Sequence, residues 1–181
     1  MLLLLMILVF PFTSCFYCHA QGSLRDNLVV YPNNSIFLEL GGNSVFYGSL
    51  NYERIFLQRD FFYLSGRAGV GFGGFLSVNV LSVPLMANGI FQIYHALAFE
   101  VGVGVTLMKI SRQQGEDEGG DWSYQYQPAV SAMAGLRVQA KNGFLFRLNF
   151  TPFMNYLYEH AADYKPAVWF GMSFGYSFGK K

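Results

Sequence analysis

Val168-Trp169-Phe170-Gly171-Met172-Ser173-Phe174-Gly175-Tyr176-Ser177-Phe178 is the stretch that decides the fold. Val168, Phe170, Met172, Phe174, Tyr176 and Phe178 share one parity, and Gly171, Ser173, Gly175 and Ser177 the other. Successive side chains of a strand point to opposite faces, so this is a strand with one bulky apolar face and one small polar face. The pattern recurs upstream. Phe144, Phe146, Leu148 and Phe150 oppose Arg147, Asn149 and Thr151, and Leu97, Phe99, Val101, Val103, Val105 and Leu107 oppose Glu100, Gly102, Gly104 and Thr106. Val130, Leu136 and Val138 oppose Ser131, Gly135, Arg137 and Gln139, and the alternation also runs through residues 46–53.

Eight such segments lie at 35–41, 45–57, 61–73, 79–91, 96–108, 128–140, 144–154 and 166–178. Most reach the roughly 9–11 residues that a tilted strand needs to cross a bilayer. Short connections at 58–60, 92–95 and 141–143 alternate with generally longer ones, notably 109–127 and 155–165. Lys141-Asn142-Gly143 is a hairpin signal, because Asn and Gly tolerate a positive φ. Tight turns at one end, longer loops at the other and an even strand count describe an outer-membrane barrel. The expected fold is therefore an all-β, eight-stranded antiparallel up-and-down transmembrane β-barrel preceded by a cleaved signal peptide. Residues 68–99 carry no Asp, Glu, Lys or Arg, which leaves a membrane helix at 74–94 as an alternative. Pro84 cannot donate to a ladder, so a bulge or a late strand start is expected beside it.

Side-chain chemistry separates a membrane barrel from a soluble one. Glu39, Glu53, Arg67, Glu100, Arg137 and Arg147 all lie on the Gly/Ser/Asn parity, with Arg54 as an off-parity exception. A solvated face has no need of so many glycines, whereas a cramped interior does. Three acids matched by three bases suit an interior in which an unpaired charge costs several kcal/mol. An eight-stranded barrel has room for side chains and none for a wide channel. The opposite parity suits hydrocarbon, with Tyr52, Tyr63, Tyr94, Trp122, Tyr124, Tyr126, Tyr156, Tyr158 and Trp169 near strand ends or in loops as candidates for interfacial girdles.

Composition agrees with this. Of 181 residues 52% are hydrophobic and 13% charged, and the latter is about half the usual share for a soluble domain. Disorder is excluded by that balance. With 12 Lys+Arg against 11 Asp+Glu, and no basic run, nucleic acid is not an expected partner. Residues 2–12 form an apolar run too short to span as a helix, which needs about 20 residues, and a small-x-small site follows at Cys18-His19-Ala20. This reads as a signal peptide at 1–20, although no Lys or Arg precedes the run. The alternatives are a buried N-terminal helix and lipoprotein processing at Cys15 or Cys18. The mature chain then comprises a periplasmic segment at 21–34, the barrel at 35–178 and a tail at 179–181. It contains no cysteine, which removes disulfides and thiol chemistry.

Several short segments, taken in order, carry a family resemblance. They are Gly48-Ser49-Leu50-Asn51-Tyr52-Glu53-Arg54, Val83-Pro84-Leu85-Met86-Ala87-Asn88, Phe99-Glu100-Val101-Gly102-Val103-Gly104, Phe146-Arg147-Leu148-Asn149-Phe150-Thr151-Pro152 and Trp169 to Phe178. Together they resemble the small outer-membrane β-barrel proteins of Bacteroidota-type bacteria, with an OmpA/porin-like eight-stranded barrel. The resemblance implies a bacterial outer-membrane location, both mature termini in the periplasm, and insertion by the outer-membrane assembly machinery. That machinery reads an aromatic near the end of the last strand, here Phe178; the trailing Gly179-Lys180-Lys181 departs from the commonest ending. The resemblance implies no activity.

Three functions follow as expectations. The first is a non-enzymatic barrel with a filled interior, structural or binding an unidentified ligand through its outer loops, in contact with outer-membrane lipid and lipopolysaccharide. Glu116, Asp117, Glu118 and Asp121 make its acidic loop, read as a solvated tip or as a divalent-cation site with no EF-hand spacing. The second is a lipid-modifying enzyme of the lipid A deacylase or acyltransferase kind, with His160 as base beside Glu159 and Asp163, and Ser123 as nucleophile. His95 reads as a turn residue. The third is a narrow channel gated by the interior charges. No cofactor or metal is expected: Gly69-Val70-Gly71-Phe72-Gly73-Gly74 lacks the lysine and helix of a phosphate loop and reads as barrel interior.

Overall fold

The computed structural model describes residues 31–44, 48–75, 78–113, 122–155 and 167–179. Eight strands run β1 Asn34–Gly41, β2 Gly48–Arg59, β3 Phe62–Phe75, β4 Val78–Tyr94, β5 Leu97–Gln113, β6 Trp122–Gln139, β7 Phe144–Asn155 and β8 Ala167–Phe178. Each pairs antiparallel with its sequence neighbours, and β1 pairs with β8 to close the barrel. No described helix is long and apolar enough to cross a membrane, and the span 74–94 belongs to β3 and β4.

The tilt of the strands is written in the register. The ladder runs from Ser177 through Ser35, Glu53, Arg67, Met86, Gly104, Ser131 and Phe153, and returns to β8 at Ala167, ten residues from its start. Closure with that stagger tilts the strands by about 35–45° and leaves a lumen that side chains fill.

At one end the connections are tight: Asp60-Phe61, His95-Ala96 and residues 140–143. Asp60 and His95 adopt positive φ, 41° and 43°. At the third turn only Gly143 does, at 95°, while the Asn142 side-chain oxygen accepts a hydrogen bond from the Phe144 N–H at 3.2 Å. Register shifts in β2–β3 and β4–β5 fall beside these turns, where an extra residue is absorbed most easily.

The structure corrects the sequence reading of the strands in two places. Pro84 neither bulges the chain nor delays the strand. The β3–β4 ladder omits the rungs between Ala68↔Leu85 and Gly71↔Ser82 and resumes in the same register, while Pro84 stays paired with Thr106 on its other side. Pro152 has the same effect between β6 and β7. The loop expected at 109–127 is largely strand: β5 continues to Gln113 and β6 starts at Trp122, paired from Lys109↔Tyr126 to Gln113↔Trp122. Beyond the hydrocarbon belt the outer face need not be apolar, so the alternation that marks a membrane strand is lost. As a result β4, β5 and β6 have 17, 17 and 18 residues against 8 in β1, a tall wall opposite a low one.

Candidate functional site

The strands present two chemically opposite faces. On the outside, Leu38, Phe72, Val103 and Phe170 are 60%, 70%, 64% and 77% exposed, and apolar residues of this kind cover the described outer face. Water-soluble monomers rarely expose apolar surface of this kind. Inside, the largest fully buried side chains are Arg137 and Arg147, residue types almost never buried without partners. The inverted distribution makes this a transmembrane barrel.

The lumen is layered. Tyr31, Ile55, Tyr63, Ile90 and Ala98 pack into an apolar floor near the tight-turn end. Tyr31 precedes β1 yet is fully buried, with its ring centroid 4.9 Å from that of Tyr63. Its segment is tied down by the Ile55 N–H donating to the Asn33 carbonyl at 2.8 Å and by the Gln58 amide donating to the Tyr31 carbonyl at 3.3 Å. Burial pushes the Tyr31 phenol above its ordinary range, against the nearby Arg137 charge, so the floor stays neutral. Tyr63, read from sequence as a girdle residue, is instead part of this floor: it shares the inward parity of Arg67, and its hydroxyl donates to Gln92 at 2.9 Å.

Above the floor the structure brings together all six charged residues singled out in the sequence. Each is fully or almost fully buried. Glu39 pairs with Arg67, whose Nε also donates to Asn51 at 3.0 Å. Arg137 donates to Glu53 at 2.6 Å and lies 3.8 Å from Glu100, which accepts from Arg147 at 2.6 Å. This second chain of charges crosses the lumen, because β2 and β6 are opposite each other in the closed order. Ser65 and Asn88 donate to Glu53 at 2.8 and 3.2 Å, and Asn149 donates to Glu39 at 3.4 Å. Arg54, the off-parity exception, is exposed on the outer face.

Phe37 is the residue that sequence reasoning missed at this level. It has the parity of Glu39 and lies between two guanidiniums, 5.0 Å from Arg67 and 4.7 Å from Arg147. Glycines make room for it: a side chain at Gly175 would run into Phe37 and the Ile36 carbonyl. Gly69 and Gly71, in the stretch that superficially resembles a phosphate loop, are interior positions of β3 abutting Asn51 and Ser82.

Higher still lie the hydroxyls of Ser49, Ser82, Thr106, Ser131 and Thr151, all buried. A 3-10 turn at Gly42–Ser44 folds over them. Its Asn43 is fully buried, and its carbonyl accepts from Thr106 across the barrel at 3.5 Å. The lumen therefore carries a floor, a charged middle and a cap.

The remaining sequence candidates fall elsewhere. Glu116, Asp117, Glu118, Asp121, His160, Glu159 and Asp163 lie outside the described residues, as do the signal segment and residues 21–30. Ser123 belongs to β6, not to a loop. His95 is in a tight turn, stacked edge-on against Tyr94 with ring centroids 3.9 Å apart. Phe178 ends β8 on the outer face, paired with Asn34. Among the described residues no group of His, Cys, Asp and Glu could hold a metal ion.

Ail, the attachment invasion locus protein of Yersinia pestis, aligns with a TM-score of 0.52 and 12% identity, covering 81% of this chain and 97% of Ail. The fold is that of an eight-stranded outer-membrane barrel. Neisserial surface protein A (NspA) aligns with a TM-score of 0.46 and 12% identity over 82% of this chain and 96% of its own. The N-terminal β-barrel domain of Pseudomonas aeruginosa OprF gives 0.45 and 15%, over 80% and 99%. No protein-family model matches the chain, and no curated protein matches it in sequence.

Proposed function

We propose that this chain is a non-enzymatic protein of the bacterial outer membrane whose lumen is structural and whose function lies on its outer surface. The observation that carries this reading is the burial of the inward side chains, from Tyr31 through the Glu–Arg network to Asn43. The Glu53–Arg137 pair binds opposite walls of the barrel. Removing one partner of such a pair leaves a buried charge, at a cost of about 3–5 kcal/mol, so the network selects the closed state. This arrangement disfavours the narrow channel. The floor residues lie at the end that carries both chain termini. In the outer membrane that end is the periplasmic one, with Phe178 placed as the signal for the assembly machinery. The outer loops, including Glu116, Asp117, Glu118 and Asp121, then face outward as the surface for a ligand or partner, with lipopolysaccharide as the surrounding lipid.

The test is electrophoresis of fractionated membranes from cells expressing the full chain, with and without boiling. A closed barrel resists SDS because its backbone hydrogen bonds are satisfied internally. A heat-sensitive fast band confined to the outer-membrane fraction supports the reading; a single heat-insensitive band in a soluble or inner-membrane fraction overturns it.

A further inference from the structure

We propose that the outward face of the β5–β6 ladder, where it leaves the apolar belt, is a docking site for a phosphorylated glycolipid, with the Lys109 ammonium as the phosphate ligand. The inference rests on the outer-membrane placement above and goes beyond it by naming the site on the barrel wall that holds the lipid. Lys109 has the outward parity of Leu107, Val105, Val103, Val101 and Phe99, so it caps a run of five apolar lipid-facing residues. Its ladder neighbours are Leu81 on β4 and Tyr126 on β6. The ammonium lies 4.5 Å from the Tyr124 ring centroid and 5.9 Å from that of Tyr126. Those rings belong to the part of β6 beyond the belt, so they draw the charge out of hydrocarbon and toward the headgroups.

Charge complementarity selects the occupant. No Asp or Glu faces outward on any described strand, and no carboxylate pairs with Lys109 among the described residues. The ammonium is bordered by the Tyr124 and Tyr126 rings, and phosphate is the complementary group at a bilayer surface. Tyr124 and Tyr126, 59% and 70% exposed, add flat faces and hydroxyls suited to a sugar. Below them Leu107 and Val130 continue the surface with apolar groups suited to acyl chains. Sugar-binding, phosphate-binding and acyl-binding chemistry thus follow one another down a single face. Arg54 is an outward cation near the opposite end, on β2, and serves as the control position.

The experiment uses the folded full chain in phosphatidylcholine nanodiscs, with and without lipid A, and reads the temperature at which the heat-modifiable band converts. Lipid A is expected to raise that temperature for the wild type and for Lys109→Arg. Lys109→Ala should keep the wild-type temperature in phosphatidylcholine alone and lose most of the rise. In native mass spectrometry the same variant should retain roughly fivefold less lipid A, the effect of one lysine at an anionic membrane surface. Arg54→Ala, dephosphorylated lipid A and free inorganic phosphate separate the alternatives. The proposal requires an unchanged rise for Arg54→Ala, and no rise for dephosphorylated lipid A or for free phosphate added to phosphatidylcholine discs. A Lys109→Ala chain that responds to lipid A as the wild type does, or a free-phosphate response equal to that of lipid A, overturns it. If the wild type forms no heat-modifiable barrel in either disc, the outer-membrane reading fails instead.

Discussion

The two faces of β5 carry opposite instructions on one backbone. Inward are Ala98, Glu100, Gly102, Gly104, Thr106 and Met108; outward are Phe99, Val101, Val103, Val105 and Leu107. The hydrogen-bonded ladder is common to both faces, so the difference between them is one of solvent. Outside, hydrocarbon accepts any apolar shape and rejects charge. Inside, packing limits every volume, and charge is accepted only with a partner. A soluble barrel has these assignments reversed, and the contrast predicts how each face responds to substitution.

The largest effect is expected inside. Arg137→Ala leaves Glu53 and Glu100 short of a partner in the lumen and should destabilise the barrel by about 3–5 kcal/mol in urea unfolding from lipid vesicles. Replacing Arg137 and Glu53 together by apolar residues of similar volume should restore much of that loss; if the double variant is no better than the single one, the pairing is not what the lumen requires. On the outside, Val103→Arg should cost about 2–4 kcal/mol near the middle of the belt, while Val103→Leu should be close to neutral. Adjacent to it, Gly104→Val should cost about 1–3 kcal/mol, because a side chain there meets the Leu85 carbonyl and Met86. An inward Gly104→Val as mild as the outward Val103→Leu would erase the distinction between the faces. The smallest change is Pro84→Ala, which returns an N–H to β4 and should shift stability by about 1 kcal/mol or less.

The strand count, closure and inward parity were legible because a membrane strand alternates between hydrocarbon and lumen, and that contrast is visible in residues such as those of β8. All six network charges were found for the same reason. Tyr31 was not, since it lies outside any strand and its burial depends on the mouth of the barrel closing around it. Tyr63 and Phe37 were hidden by residue type: an aromatic near a strand end reads as a girdle residue, and only parity with Arg67 or Glu39 shows that it points inward. The upper parts of β5 and β6 read as loop because no hydrocarbon faces them, and without it no apolar alternation marks the strand. The ladder to Gln113↔Trp122 is set by pairing across the hairpin, which composition does not show.

A lumen filled with its own side chains should not conduct. Planar-bilayer recording of the heat-modifiable barrel tests this most directly. A silent bilayer is expected at all applied voltages, because side chains are buried in the lumen from the apolar floor at Tyr31 to Asn43. Steady, ohmic current steps from the folded wild-type chain would contradict it.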